Sequence, residues 1–275
     1  TWRGKQLPAR FGVVGYGKFG GFELGYGSDL DLVFLHDSKG DQQQTTGPQV
    51  LQNNEFFTRL SQRIIHIMNT FTPAGILYEV DMRLRPSGHS GMLVSSIDAF
   101  ADYQREEAWI WEHQALVRAR PVAGDPGLGK AFNRIRAQVL AADSKVENLR
   151  SEVRDMRERM RAELGSKSDA GFHLKQDRGG IVDIEFMVQY LVLRWCHDHE
   201  KLLRHTDTIH LLKALAKAGL LKSAYAQTLI EAYRQYRAVS HRLTLAEASS
   251  LVDDGQQLQA QRERVAEIWK QLMKG

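Results

Sequence analysis

The alternation of apolar and polar positions predicts a mixed α and β region in the first third of the chain. Short apolar runs, separated by glycine-rich and polar loops, predict strands at 11–16, 28–36 and 75–83 and a short helical turn at 19–24. Between the second and third strands, apolar residues recur at helical spacing over 50–71, which predicts an amphipathic helix.

Beyond residue 96 the apolar positions follow a helical period almost throughout. This pattern predicts helices at 97–115, 128–141, 144–164, 180–198, 207–218, 223–246 and 256–273. Glycines and prolines, as in the run 124–127, stand between these helices and end them. A small α/β domain followed by a helical bundle accommodates both patterns.

The composition fits a globular protein of one large or two smaller domains. The chain has 275 residues, 43% of them hydrophobic, and charged residues interrupt every long apolar stretch, so no membrane helix is predicted. The single cysteine, Cys196, excludes an internal disulfide and favours the cytoplasm. The net charge of +4 is spread without a basic block, which argues against nucleic acid as a partner. Because the chain starts at Thr1 without a signal peptide, we expect it to be a piece of a longer protein.

Two aspartates stand one residue apart in an apolar strand. Successive strand side chains alternate faces, so Asp29 and Asp31 are expected on one face, about 6–7 Å apart along the chain. Two such carboxylates repel each other and lose hydration, and a divalent cation between them would relieve both costs. The plainer alternative is a polar strand end. The apolar continuation through residues 32–35 favours a buried strand, and therefore a metal site.

A glycine-rich turn precedes the two aspartates. Residues 15–20 match the dinucleotide-binding pattern G-x-G-x-x-G, but only seven residues separate them from Ser28, too few for the crossover helix of a Rossmann fold. The P-loop pattern is absent from the sequence. Gly20 and Gly21 are instead expected to let the backbone approach a phosphate, with Lys18 and Ser28 donating to phosphate oxygens.

A third carboxylate is predicted from the strand-like segment 78–86. In an extended strand Asp81 would share a face with Glu79, Arg83 and Arg85, and arginine binds phosphate as a bidentate fork. The alternative is an exposed edge strand with a solvated face. A phosphate site beside paired carboxylates describes a nucleoside triphosphate with its Mg²⁺.

Two polar clusters in the helical part have simpler interpretations. His197, Asp198 and His199, with His205 and His210 nearby, invite a metal interpretation, but neighbouring positions on a helix diverge, so we interpret them as a polar helix end. A second cluster lies beside the glycine pair 179–180 and comprises Lys175, Asp183 and Glu185. Its residues either cap a helix and pack against it or form part of a domain-interface site.

Four stretches, in order along the chain, resemble one known family. Residues 15–37 closely resemble the bacterial glutamine synthetase adenylyltransferases, also called glutamate-ammonia-ligase adenylyltransferases, and residues 80–88 resemble their second signature. Residues 118–125 and 175–186 are similar to two further motifs of that family. Phe19, where the family has leucine, is an apolar replacement. The two ends of the first stretch resemble the C-terminal, adenylylating half of this two-half enzyme more than its AMP-removing half.

The resemblance implies an α+β fold. Its first part would be a DNA polymerase β-like nucleotidyltransferase domain, a small mixed sheet with helices, and its second part an all-helical bundle domain. We accordingly expect a catalytic domain over residues 1–122 and a helical domain over residues 123–275 that serves regulation or substrate docking.

The activity that the resemblance implies is Mg²⁺-dependent transfer of AMP from ATP to a tyrosine of glutamine synthetase, releasing pyrophosphate and lowering its activity in nitrogen regulation. Asp29, Asp31 and Asp81 match the family's catalytic carboxylates and would hold two Mg²⁺ ions, with Asp81 assisting as base. The residues implied to bind ATP are Lys18, Gly20, Gly21, Ser28, Arg83 and Arg85. The implied protein partners are glutamine synthetase and a PII signal protein.

Three alternatives to this function stay open. The chain could be the half that removes AMP by phosphorolysis, because both reactions use similar sites. A nucleic-acid nucleotidyltransferase would share the three acids, but it predicts a clustered basic groove, which the even charge distribution does not support. A non-catalytic module that senses nucleotide or PII would not require all three acids.

Overall fold

A computed structural model describes residues 8–39, 43–76, 78–142, 148–165, 171–252 and 256–274. The chain divides into two units, unit 1 (Thr1–Val139) and unit 2 (Leu140–Gly275). The boundary predicted after residue 122 lies inside a strand of unit 1, Arg120–Gly124. The assignment of a catalytic and a regulatory domain stays a prediction.

Unit 1 is built on a mixed sheet. Its elements are β1 (Phe11–Gly15), α1 (Gly17–Gly20), β2 (Leu30–His36), α2 (Asn53–Met68), β3 (Val80–Asp81), a 3-10 helix (Gly88–Ser90), β4 (Val94–Ser96), α3 (Ile97–Glu106), α4 (Ile110–Val117), β5 (Arg120–Gly124) and α5 (Pro126–Leu140). Among the residues that the structure describes, the sheet has five strands. Strand β1 pairs antiparallel with β2 and β5, whereas β3 and β4 both pair parallel with β2.

Strand β2 carries the core of unit 1 on one face. Leu30, Leu32 and Phe34 alternate along the strand and form one buried cluster with Phe57 of α2 and with β4. Burying side chains of this size contributes roughly 1.5–3 kcal/mol each. Because strand faces alternate, this packing places Asp31 on the opposite face of β2, together with the buried Val33 and Leu35.

Several predicted elements of unit 1 differ from the observed ones. Strands β4 and β5 are too short or too polar to show alternation and were not predicted. The predicted helix 97–115 is wrong as a single helix, because it is two, α3 and α4. The acid Glu112 accepts a hydrogen bond from the Trp109 amide at 2.9 Å and so starts α4 anew.

Unit 2 is a helical bundle around α7. Its elements are α6 (Leu149–Leu164), β6 (Phe172–His173), α7 (Ile181–Trp195), a 3-10 helix (Glu200–Arg204), α8 (Thr208–Lys217), α9 (Ser223–Leu245), β7 (Leu251–Val252) and α10 (Gln256–Met273). Helix α7 contacts α6, α8, α9 and α10. The α+β prediction is confirmed, with the short antiparallel β6–β7 pair added to the predicted bundle. None of the helices in the described ranges combines the length and apolarity that a membrane span requires.

A buried ion pair joins α6 to the start of α7. The Arg157 and Asp183 side chains are fully buried, and Arg157 Nε donates to Asp183 Oδ1 at 2.7 Å. Arg161 Nη2 donates to the same oxygen at 3.0 Å, and the Gly179 amide donates to Asp183 Oδ2 at 2.7 Å. Asp183 therefore ties the first turn of α7 to the glycine turn before it and compensates a buried guanidinium, which favours the interpretation of this cluster as capping and packing.

We predict that Asp183→Ala destabilises unit 2 by about 3–5 kcal/mol, because it leaves the Arg157 charge buried without its partner. Hydrogen–deuterium exchange of α7 peptides measures this local loss directly. Asp155→Ala removes an aspartate from the exposed pair with Arg154 and serves as the control, with an expected change within about 0.5 kcal/mol. Equal protection of α7 in both variants would contradict the prediction.

Candidate metal and nucleotide site

Parallel pairing of β2 with β3 brings two predicted acids together. Leu30 lies opposite Val80 and Asp31 lies opposite Asp81. Neighbouring strands are about 4.8 Å apart, and side chains at paired positions point to the same face. Asp31 and Asp81 therefore lie side by side, on the opposite side of the sheet from Leu30, Leu32 and Phe34.

The third acid lies beside this pair, at the mouth of an open cleft. Asp29 is exposed, one residue before β2. The cleft has a volume of about 390 Å³, and the side chains that line it belong to Asp29, Glu79, Val80, Asp81, Met82, Arg83, Arg85 and His89. The structure thus brings Asp81 close to two aspartates about fifty residues earlier in the chain, and its acidic cleft can attract a cation.

Arg83 compensates the negative charge of these acids. Its Nε donates to Asp81 Oδ2 at 2.7 Å, and its backbone amide donates to Oδ1 at 2.8 Å. Burial raises the pKa of Asp81, but the hydrogen bonds and charge of Arg83 outweigh burial and leave that pKa below its usual value. The pKa of Arg83 is raised by Asp81 first, and also by Asp31 and Asp29, so its guanidinium lies within the field of all three acids.

Arg85 holds the loop that follows β3. Its guanidinium donates to the carbonyl oxygens of Met82 (2.8 Å), His89 (3.1 Å) and Gly91 (3.3 Å). Of the strand predicted over 75–83, the described residues form only Val80–Asp81, and residue 77 lies outside the described residues. The prediction that Glu79, Asp81, Arg83 and Arg85 share one strand face is wrong, because pairing ends at Asp81 and the chain then turns around Arg85. The part of Arg85 in phosphate binding stays a prediction.

Gly17 lies directly against the carboxylate of Asp31. Its φ is +53°, and a Cβ there would lie 2.2 Å from Asp31 Oδ2. Only glycine fits, because any side chain would be strained by the backbone angle and would also displace the carboxylate. Sequence reasoning did not single out Gly17, although its place in the Gly-x-Gly turn was a usable signal.

Gly20 and Gly21 are packed against Arg118. A Cβ on Gly20 would lie 2.0 Å from the Arg118 carbonyl oxygen, and one on Gly21 would lie 2.6 Å from the guanidinium. Their amides donate within the turn, to Tyr16 O at 2.8 Å and to Gly17 O at 3.1 Å respectively. Packing alone therefore requires glycine at both positions, and the predicted phosphate cradle stays a prediction.

Two arginines of the motif 118–125 clamp the glycine-rich turn. Arg118 forms a buried ion pair with Glu23. Arg120 donates to the carbonyl oxygens of Gly20 (3.0 Å) and Phe19 (3.2 Å), and its guanidinium stacks 3.6 Å from the centre of the Phe22 ring. The sequence showed this motif only as part of the family resemblance and gave its arginines no role. The one usable signal was Glu23, because a charged residue inside a short glycine-rich turn predicts an oppositely charged partner.

Lys18 and Ser28 flank the same turn. Lys18 is half-buried on α1, which contacts β2. Ser28 Oγ accepts the Gly25 amide hydrogen at 3.1 Å, which fixes the hydroxyl just before the acids. Binding of phosphate oxygens by these two side chains stays a prediction.

The two units match two different family models. The model described as Glutamate-ammonia ligase adenylyltransferase matches residues 2–135. The model described as GlnD PII-uridylyltransferase matches residues 147–272. The two matches therefore fall largely within unit 1 and unit 2 respectively.

Similar proteins cover nearly the whole chain. It is 53% identical over 270 residues to the bifunctional glutamine synthetase adenylyltransferase/adenylyl-removing enzyme of Thioalkalivibrio sulfidiphilus, covering 98% of this chain and 28% of that protein. Proteins of the same name are 52% identical in Pseudomonas syringae pv. tomato (95% and 28% covered) and 53% identical in Nitrosococcus oceani (96% and 27% covered). The chain thus spans little more than a quarter of the length of these relatives.

We predict that Gly17→Ala weakens binding of Mg²⁺ or Mn²⁺ at the acids by about 10-fold or more, because the added methyl displaces the Asp31 carboxylate. Titration calorimetry measures the change. Gly219→Ala is the matched control, since Gly219 has φ +74° and no atom within 4 Å of its Cβ position. Both variants incur the same cost of about 1–2 kcal/mol for placing alanine in a left-handed backbone conformation. Equal cation affinity in both would contradict the prediction.

We also predict that Arg83→Gln raises the pKa of Asp81, because burial then acts without the opposing charge and hydrogen bonds. Carboxyl NMR titration of the metal-free protein measures it, and Arg59→Gln, in an exposed pair on α2, should leave it unchanged. Since the folded-state pKa of Asp81 is lowered, Arg83 stabilises the fold above the unfolded-state pKa of that carboxyl. This contribution is lost as pH falls through the folded-state pKa. An Asp81 pKa that does not rise would contradict the prediction.

Proposed function

Residues 2–135 place this chain in the glutamate-ammonia ligase adenylyltransferase family, and from this premise we propose that unit 1 transfers AMP from ATP to a tyrosine of glutamine synthetase. The observation that carries the proposal is the pairing of Asp31 with Asp81, with Asp29 beside them, inside the region that matches the family model. The names of the relatives supply the acceptor protein and the transferred group.

The three carboxylates fit Mg²⁺ by their chemistry. Mg²⁺ prefers oxygen ligands and is commonly held by a few carboxylates together with substrate phosphates. Asp29 and Asp81 offer such oxygens at an open cleft with room for a ligand, and Asp31 lies opposite Asp81 on the neighbouring strand. Two Mg²⁺ ions bound there would lower the pKa of an attacking hydroxyl and neutralise charge on the phosphate oxygens.

The surrounding side chains would position the nucleotide and move the proton. The Arg83 side chain is largely exposed, so its guanidinium can leave Asp81 and remain solvated. Asp81 would then accept the proton of the tyrosine hydroxyl, and Arg83 could turn its guanidinium to phosphate oxygens. Lys18 and Ser28 would donate to the triphosphate from the clamped turn.

Unit 2 would supply the docking surface for protein partners. It matches a family model named for a PII-uridylyltransferase, and we propose that its helices contact glutamine synthetase and a PII signal protein. The relatives are named for both adenylylation and adenylyl removal. From the sequence of the glycine turn we assign this chain to the adenylylating half.

We predict that the chain with ATP, Mg²⁺ and unmodified glutamine synthetase adds one AMP per glutamine synthetase subunit, detected by intact mass. Asp29→Asn and Asp31→Asn should each lower the rate by about 100-fold or more, the scale expected for losing stabilisation of transition-state charge. Glu79→Gln is the control, because Glu79 lines the same cleft without belonging to the three acids. Unimpaired transfer by Asp31→Asn would refute the catalytic assignment.

The reverse direction is tested with the same preparation. Adenylylated glutamine synthetase is incubated with the chain, Mg²⁺ and inorganic phosphate, and the loss of AMP is followed. Removal without any transfer from ATP would reassign the chain to the adenylyl-removing activity.

Incorporation of nucleotide into added RNA, with glutamine synthetase unchanged, would favour a nucleic-acid nucleotidyltransferase. Mg²⁺-dependent ATP binding with neither reaction would favour a regulatory module.

A further inference from the structure

Three metal-ligating side chains converge at the start of α8 in unit 2. They belong to His205, Asp207 and His210, and one ligand atom from each lies within 4.8 Å of the other two. The sequence groups His205 and His210 with His197, Asp198 and His199, and its helical spacing favoured a polar helix end. In the structure α7 ends at Trp195, and His197 Nε2 lies 2.9 Å from a carboxylate oxygen of the adjacent Asp198.

Asp207 is the fixed member of this group. It is the N-cap of α8, and its Oδ1 accepts the His210 amide hydrogen at 2.9 Å. Its two oxygens lie 2.8 and 2.9 Å from His210 Nδ1. The His205 ring stacks on the His210 ring, with centroids 5.2 Å apart and planes 15° from parallel.

Capping of α8 explains only part of this arrangement. An N-cap needs the Asp207 carboxylate and a backbone amide, and it needs neither imidazole. Two imidazoles nevertheless meet at this carboxylate, one from before the helix and one from its first turn.

We propose that His205, Asp207 and His210 bind a divalent transition metal of the zinc class. Two imidazole nitrogens and one carboxylate oxygen are ligands that Zn²⁺ accepts, whereas Mg²⁺ prefers oxygen ligands alone. Zinc sites with three protein ligands leave a position for water or another group.

The observed spacing requires only a small adjustment for such an ion. Zinc–ligand distances of 2.0–2.2 Å place tetrahedral ligand atoms about 3.3–3.6 Å from one another. The side chain of His210 is 59% exposed and can rotate, whereas that of Asp207 is 18% exposed and anchored by its cap. The segment before α8 follows the 3-10 helix Glu200–Arg204. A bound ion would link this segment, through His205, to His210 in the first turn of α8.

The test uses the full chain without an affinity tag. Its parent variant carries Asp31→Asn and Asp81→Asn, which weaken the candidate cation site of unit 1, so that metal binding reports on the site in unit 2. Zinc chloride is titrated in a calorimeter in the absence of ATP, so the outcome is independent of the proposed adenylyl transfer. One Zn²⁺ per chain is expected, and cobalt substitution should give a visible spectrum of low-coordinate nitrogen and oxygen ligation. Absence of Zn²⁺ binding would overturn the proposal.

Ligand variants then locate the site. Asp207→Asn, which preserves an effective N-cap, and the replacements His205→Gln and His210→Gln should each weaken Zn²⁺ binding by at least about 10-fold. His199→Gln, a nearby histidine outside the group, should leave affinity unchanged. Zn²⁺ should also raise the thermal midpoint of the parent but not of the ligand variants. Unchanged binding in His205→Gln and Asp207→Asn would overturn the proposal.

Discussion

Parallel pairing between β2 and β3 is the constraint on which the candidate site of unit 1 depends. Only two residue pairs form this contact, yet it places Asp31 opposite Asp81. Strand β2 can hold two acids at its start because Leu30, Leu32 and Phe34 anchor its other face in the core. Like charges held so close require compensation, which Arg83 provides in the structure and which a bound cation would provide in the proposed reaction.

The glycine-rich turn is shaped by packing as much as by any ligand. Arg118 occupies the space that side chains at Gly20 and Gly21 would need, and Arg120 binds the carbonyl oxygens at the end of α1. The Tyr16 amide donates to the backbone carbonyl oxygen of Asp31 at 2.9 Å, which holds the neighbouring Gly17 next to Asp31. A pattern that resembles a phosphate-binding loop therefore also has a purely structural reason, which is to bring α1 close to the acids without steric conflict.

Unit 2 satisfies its buried charges in a comparable way. Asp183 compensates the buried Arg157 and accepts the Gly179 amide hydrogen with one carboxylate, so a single residue links α6, α7 and the turn before α7. At the start of α8, Asp207 caps the helix and is joined by two histidines. In both places an aspartate fixed by a backbone amide gives other side chains a stable partner.

The sequence by itself predicted the helices of unit 2 and strands β1 and β2, and it singled out the three acids as candidates, because sustained periodicity and charge within apolar runs are local signals. It could not determine β4 and β5, whose few residues carry too little pattern, the short extent of β3, or the break between α3 and α4. The tertiary structure alone decided that Asp81 pairs with Asp31, that Arg83 faces the acids while Arg85 braces a loop, and that Asp207 joins His205 and His210. These are contacts set by strand register and turn geometry, which depend on the packing of distant segments.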